Sequence, residues 1–419
     1  MESKTSLHRT RLHKTLLEFD EPAQALEPRR VLFVSSAGEM GGAERSLYEL
    51  LRALPRDSFE PHVCVPVASR FARLLDAAGI PVHEVPLRRF RRSTHLINLA
   101  GNVRALYQGS RQVADVCRRE RIELLHANTN SAALVAWEVG RTTALPFIWH
   151  CRDLSPLYGL ARILGGAAAA VVAISEAVSR QLAREGVKPE KLKLIYNGID
   201  LARIAPSELF ADVRARARAN LGIEARRPVL LTVGAYVPWK KHELFLETLA
   251  LVRRRMPTAV GLLAGSDQFG ENAAYVAQLR LTARRFSLNE DALKVLMERD
   301  DVPELMAASD VLVSCSENEP FGRVLAEAGA SGLPVVSTRS GAKPEIVEDN
   351  VTGILTEPGD AEALTAACLR LLADPVLRQC MGRAAQARVA SLFDVRRAAG
   401  ELAALCESIL QRQAAQERG

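Results

Sequence analysis

Two glutamates eight positions apart, Glu319 and Glu327, flank a Pro-Phe-Gly turn in the segment SENEPFGRVLAEAGASGLPVVST, residues 316–338. Pro320 and Gly322 punctuate the chain where a helical pattern begins, so Phe321, Gly322 and Arg323 offer unpaired N–H groups at the positive end of a helix. That is a place for an anion. Glu327, one to two turns further in, is close enough to bridge a vicinal diol on the same ligand. Glu319 precedes the helix and can reach a second hydroxyl pair; wedged between apolar strands, its carboxylate needs a partner in any case. One anion site flanked by two carboxylates fits a nucleoside diphosphate sugar, with the sugar toward Glu319 and the ribose toward Glu327. The same residues also fit a plainer arrangement, in which Glu319 caps the helix and Glu327 sits on a wetted face.

Other turns carry chemistry-bearing residues. Gly38, Gly41 and Gly42 follow the first apolar strand, where bare backbone can approach a ligand at a helix start. Their spacing is not the dinucleotide fingerprint, and the second strand ends at Pro66 instead of an acidic residue for a ribose, which disfavours a dehydrogenase. Lys240 and Lys241 occupy the corresponding turn of the second half, where Lys240 is placed to neutralise a diphosphate leaving group. Arg88, Arg89, Arg91 and Arg92 cluster ahead of an apolar stretch with helical spacing (Leu96, Ile97, Leu99, Val103, Leu106). This is either a solvated loop before a core-facing helix or a basic patch for an anionic surface. The seven cysteines form no C-x-x-C pair, so they read as reduced, apolar fillers without a structural zinc.

The elements that must position these residues follow an α/β rhythm. At 419 residues the chain calls for two domains of about 200 residues each. No apolar run approaches the roughly 18–20 residues needed to span a bilayer, and no signal-peptide core opens the sequence. A cytoplasmic protein is the expectation, and a formal charge of +6 is too mild to imply nucleic acid. Residues 1–28 read as a mobile basic leader. Apolar strands are expected at Arg30–Ser35, His62–Pro66, Leu124–Ala127, Phe147–His150 and Ala170–Ile174. A second series is expected at Pro228–Gly234, Val260–Ala264, Leu293–Met297, Val311–Ser314, Val335–Ser337 and Gly353–Leu355, with amphipathic helices between. Unalternating strands interleaved with helices predict parallel sheets covered on both faces. Each half opens with strand, polar turn and helix, so the halves read as two doubly wound domains facing across a cleft. They span residues 29–200 and 201–395, join near Tyr196–Pro206, and leave a C-terminal helix over 396–419 that packs back toward the first domain. Ligands in such sheets bind at the carboxyl ends of the strands.

Taken in order, the motifs MGGAERSLYEL, VVAISEAVSRQL, KLKLIYNGIDLARIAP and RDDVPELMAASDVLVSCSENEPFGRVLAEAGASGLPVVSTRSGAKPEIVEDNVTGILTEPGD resemble family 4 glycosyltransferases over about residues 30–395. E-P-F-G-x-x-x-x-E is similar to that family's E-x7-E signature. The resemblance implies a GT-B fold of two Rossmann-like domains, the first for the acceptor and the second for the nucleotide-sugar donor. It implies Glu319 on the donor sugar's hydroxyls, Phe321 and Gly322 amides near sugar or phosphate, and Glu327 on the ribose. Lys240, with Lys241 and Arg323 as further cations, would meet the diphosphate; Gly41 and Gly42 would line the cleft near the reacting centre; His150 would lie beside the donor sugar. Transfer with retention of configuration, without cofactor or metal, is implied as well, and no Asp-x-Asp motif is present. The acceptor would be a saccharide or lipid-linked molecule in polysaccharide or glycoconjugate biosynthesis, with the four arginines holding the protein at the inner membrane face. Two positions depart from the family pattern: Ala235 stands where many relatives have arginine, and Met297 where a glycine is common. Two other activities fit the same fold, a sugar-nucleotide epimerase and a sugar-nucleotide-binding protein without turnover.

Overall fold

The computed structural model describes residues 27–418 except 91–95, 205–209, 268, 269, 298 and 300. The expected leader therefore lies outside the described residues apart from Glu27 and Pro28, and so do Arg91 and Arg92. The first half supplies seven strands: β1 (Arg29–Val34), β2 (Phe59–Pro66), β3 (Val82–Val85), β4 (Leu124–Ala127), β5 (Phe147–Cys151), β6 (Ala170–Ala173) and β7 (Leu192–Leu194). They form one parallel sheet in the order β3-β2-β1-β4-β5-β6-β7. The second half supplies six: β8 (Val229–Val233), β9 (Val260–Ala264), β10 (Leu293–Leu296), β11 (Val311–Ser314), β12 (Val335–Thr338) and β13 (Gly353–Thr356). Their order is β10-β9-β8-β11-β12-β13, again all parallel.

The central strands β4, β5, β6, β9, β11 and β12 are buried at every residue, as apolar runs without alternation require when helices cover both faces of a sheet. In each sheet the order reverses at one place, between β1 and β4 and between β8 and β11. Those switch points open crevices at the carboxyl ends, where Gly41, His150, Lys240 and Glu319 are carried. Two strands escaped sequence reading. β3 (VHEV) and β7 (LKL) are edge strands only partly buried, so neither needs the continuous apolar run that marks an interior strand.

Helix Gly42–Ala53 buries Leu47, Leu50 and Leu51 on one stripe. The C-terminal helix Val395–Arg418 lies against it, burying Ala399, Leu402, Cys406, Ile409 and Leu410 in the same cluster as Val31 and Phe33. In the second half, Asp310 takes Arg214 at 2.7 Å, Arg218 at 3.0 Å and the Val229 amide at 2.8 Å. That network fixes the start of β8 beside the start of β11. Among the described residues no helix is long and apolar enough to cross a membrane.

The chain passes between the two halves twice, and the passages are bonded to each other. Ile199 N donates to Phe393 O at 2.7 Å, and Val395 N donates to Ile199 O at 3.1 Å. Tyr196 and Phe321 each meet the Phe393 ring edge-on, at 5.2 and 5.5 Å between centroids. A Cβ on Gly198 would fall 2.3 Å from Val395 Cα, so only glycine permits this approach. Gly198→Ala is therefore expected to lower stability by about 1–3 kcal/mol, read as a reduced denaturation midpoint; an unchanged midpoint would mean the two passages part freely.

Candidate active site

On the wall formed by the second half, β8 runs into a tight turn over Gly234–Lys241. Gly265 lies so close that a Cβ there would fall 1.9 Å from Gly234 O. A 3-10 turn over Pro238–Lys240 then swings Lys240 inward, with its ammonium 4.3 Å from the Trp239 ring centroid. Lys240 Nζ donates to Glu319 Oε2 at 2.7 Å, and Ser316 Oγ donates to the same oxygen at 2.9 Å. Glu319 is buried, and these are the partners its carboxylate needs.

The loop carrying Glu319 is clamped by the segment after β12. Asn318 N donates to Ser340 Oγ at 2.7 Å and Ala342 N to Glu319 O at 2.9 Å. At Gly341, with φ +59°, a Cβ would lie 2.3 Å from Glu319 O, so a side chain there would displace the glutamate. Beneath the loop Lys343 is fully buried and donates to Ser316 O and Thr338 Oγ1. Burial pulls its pKa down to about 8, with the Glu319 carboxylate opposing the fall. Glu319 is thus bonded to one lysine and feels the field of a second.

Gly322 caps helix Arg323–Ala330 with φ +97°, a conformation that glycine adopts without strain. The Phe321 side chain turns into the core against Phe393, leaving only the backbone of this residue for the cleft. Glu327 is engaged by Arg323, whose Nε donates to Glu327 Oε1 at 2.8 Å. The same guanidinium crosses to the first half, where Nη2 donates to both Glu49 oxygens at 2.6 and 2.7 Å and Nη1 reaches Ser46 Oγ at 3.3 Å. Burial works against the Arg323 charge, but Glu327 and Glu49 more than offset it and hold its pKa above the ordinary value.

The first half supplies the facing wall. Gly41 N donates to Glu44 Oε2 at 3.2 Å, and Ser35 Oγ to Oε1 at 3.3 Å. Burial raises the Glu44 pKa, an effect these two bonds oppose. A Cβ on Gly42 would meet nothing within 4 Å. Near the ends of neighbouring strands, His150 Nδ1 and His126 Nε2 share a hydrogen bond at 3.0 Å. Their other ring nitrogens are buried with no hydrogen-bond partner among the described residues. Burial, with Arg152 adding to it, drives the His126 pKa down to about 3 and holds His150 well below its usual range, so both rings are neutral at pH 7. Arg152 Nε donates to Asn128 Oδ1 at 2.7 Å and Nη1 to Asn197 Oδ1; burial lowers its pKa to about 9.

Two contacts tie the walls together beside the site. Ser175 Oγ donates to Pro320 O at 2.7 Å, and Glu345 accepts the Glu176 and Ala177 amides at 2.7 and 2.8 Å. Lys240, Glu319, Gly322, Arg323 and Glu327 thus converge on one wall, opposite Gly41, Gly42 and His150. Lys241 does not join them: its backbone is left-handed (φ 53°) and its ammonium lies 3.5 Å from the half-exposed Glu317. Arg88 and Arg89 are exposed just beyond β3. Ala235 uses its carbonyl to meet His242 Nε2 at 3.0 Å, and Met297 is exposed after β10. Sequence reading missed His126, Arg152, Glu49 and Lys343. His126 alone had a signal, since LLHA ends its strand as FIWHC does.

Two doubly wound domains, each with a crevice at its switch point, define the GT-B fold. Residues 40–203 match the sequence model of Glycosyltransferase Family 4, and residues 213–388 match that of Glycosyl transferases group 1. The chain belongs to glycosyltransferase family 4. It is 27% identical over 294 residues to N-acetyl-alpha-D-glucosaminyl L-malate synthase of Bacillus anthracis, covering 67% of this chain and 74% of that one. It is 33% identical over 287 residues to a D-inositol 3-phosphate glycosyltransferase of Streptomyces bingchenggensis, covering 63% and 62%. Among solved structures it resembles Anabaena HepE in complex with UDP-glucose, at 29% identity and TM-score 0.78, covering 90% of this chain and 99% of the other.

The buried histidine pair has a consequence for stability. An unfolded histidine with the ordinary pKa of 6.5 takes up a proton as pH falls, whereas folded His126 does not until about pH 3. Its contribution is therefore present above pH 6.5 and lost below it. At pH 5.5 the loss for His126 is on the order of 1 kcal/mol. The denaturation midpoint should be lower at pH 5.5 than at pH 7.5, and His126→Gln should narrow the difference.

Proposed function

We propose that this glycosyltransferase moves a sugar from a UDP- or GDP-sugar to a saccharide or lipid-linked acceptor, in polysaccharide or glycoconjugate assembly. Transfer proceeds with retention of configuration and without a bound metal. The observation that carries this reading is the clamped Glu319 loop: a buried carboxylate paired with Lys240 stands just before a helix amino terminus, and that helix is tied through Arg323 to the helix after the Gly41–Gly42 turn. The UDP-glucose in the Anabaena neighbour makes a uridine nucleotide the first donor to test.

In this reading the Phe321–Arg323 amides and Lys240 receive the diphosphate, whose charge grows as the glycosidic bond breaks. Fixed donors aimed at developing charge stabilise it more than they stabilise the ground state. Of the cations that could replace the arginine absent at Ala235, Lys240 is the one turned to Glu319; Lys241 faces Glu317, and Arg323 is committed to two carboxylates. Glu319 holds donor-sugar hydroxyls, and Glu327 holds the ribose. His150, kept neutral by burial, acts on the sugar by hydrogen bonding and carries no charge. The open space at Gly42 leaves room beside the reacting centre.

Lys240→Ala should weaken UDP binding about 10- to 100-fold, the worth of one charge-assisted bond. Glu319→Gln should lower kcat and kcat/KM together while UDP affinity stays near that of the wild type, because the ligand contacts assigned to it are with the sugar and the amide oxygen can still accept from Lys240. Calorimetry and a donor panel with product anomer assignment check both, and turnover should persist in EDTA. Unchanged UDP affinity in Lys240→Ala, or a chelator that abolishes turnover, would sink the corresponding part.

The acceptor side is read from the basic segment after β3. Arg88 and Arg89 are exposed, and Phe90 N donates to Ser131 Oγ at 3.0 Å, which ties this segment to the start of helix Asn130–Thr143. Each basic residue near an anionic bilayer contributes about 1 kcal/mol. Changing Arg88, Arg89, Arg91 and Arg92 to serine should reduce sedimentation with anionic vesicles at low salt and leave UDP affinity intact. A wild type that ignores such vesicles would point to a soluble acceptor.

A further inference from the structure

Glu49 belongs to the helix that follows the Gly41–Gly42 turn, on the wall opposite the nucleotide. Its side chain is 3% exposed, and three donor groups from two parts of the chain make four hydrogen bonds to it. Arg323 Nη2 donates to both its oxygens. Arg203 Nη1 donates to Oε1 at 3.3 Å, and the Asp200 amide to Oε2 at 3.3 Å, both from the passage between the halves. A buried carboxylate at a domain boundary, made to bond the far wall and the hinge at once, is costly unless all these donors are in place.

The guanidinium between the two walls has a fixed planar fork. While Nη2 is held by Glu49, the direction of Nε is set, and Nε is the atom that meets Glu327. Without Glu49, Arg323 could turn about its own long side chain and take Glu327 with it, or release that half-buried carboxylate from its Nε bond. We propose that Glu49 is a positioning residue for the nucleotide ribose, holding Arg323 and through it Glu327, and so making ribose recognition depend on the first half being in place. The proposal rests on the assignment of Glu327 to the ribose.

Its test uses the two ribose hydroxyls as the readout, with UDP and 2′,3′-dideoxy-UDP titrated calorimetrically into the full chain. The wild type should bind UDP at least ten-fold more tightly than the dideoxy compound, and Glu327→Gln should abolish that preference. Glu49→Gln should lose most of the preference while its affinity for dideoxy-UDP stays within about two-fold of wild type. The double variant Glu49→Gln/Glu327→Gln should bind UDP no more weakly than Glu327→Gln alone, since both act at one contact. A Glu49→Gln protein that keeps the full preference, or loses both ligands equally, would overturn the proposal and leave Glu49 as a structural tie. A wild type with no preference would instead remove the ribose assignment and the proposal with it. Should Glu49→Gln fail to fold, Arg323→Lys asks the same question, because an ammonium keeps the charge but cannot span both carboxylates with a fixed fork; an undiminished preference there would again refute the relay.

Discussion

The bonding of the two chain passages to each other, Ile199 against Phe393 and Val395, is the constraint on which the site depends. Each sheet would form its own crevice alone. Only with the passages locked side by side do the crevices face each other, with Pro320 against Ser175 and Arg323 against Glu49. Phe321 contributes from inside the signature loop itself, since its ring packs on Phe393. The loop that presents Glu319 is thereby attached to the hinge on one side and to the Ser340–Lys343 segment on the other.

Most of the charge in the cleft is matched, Arg152 with its two neutral amide partners being the exception. Lys240 and Glu319 neutralise each other, and Arg323 sits between Glu327 and Glu49; His126 and His150 avoid the difficulty by remaining neutral. Isolated ions in such surroundings would be costly, while paired ones cost far less. Under the proposed function, a nucleotide would exchange one of these partners for another and would not have to create the charged groups it meets.

Much of this was legible in the residues because it is local. The interior strands announce themselves as unbroken apolar runs, and β4, β9 and β11 fall where those runs do. The Pro-Phe-Gly turn marks the start of helix Arg323–Ala330 through backbone preferences that act within a few positions. What could not be read is set by distant partners. Glu49 and Arg323 are 274 positions apart, and nothing in ERSLYELL separates Glu49 from the solvent-facing glutamates of other helices. Lys343 looks like a surface lysine in GAKPE until β12 and the Ser316 carbonyl close over it. Lys241 illustrates the converse: adjacent to Lys240 and chemically the same, it is turned outward by a single left-handed residue conformation.

Of the chain's three tryptophans, Trp149 is fully buried with its Nε1 donating to Asn130, and Trp137 is partly buried. Trp239 is 41% exposed, with a cation 4.3 Å from its ring centre. An ammonium at that distance is attracted to the face of the indole, so any event that draws the lysine away changes the surroundings of that one ring and leaves the other two as they were. The turn after β8 thus sets one half-exposed indole apart from the other two, with the lysine of the Glu319 pair against its face.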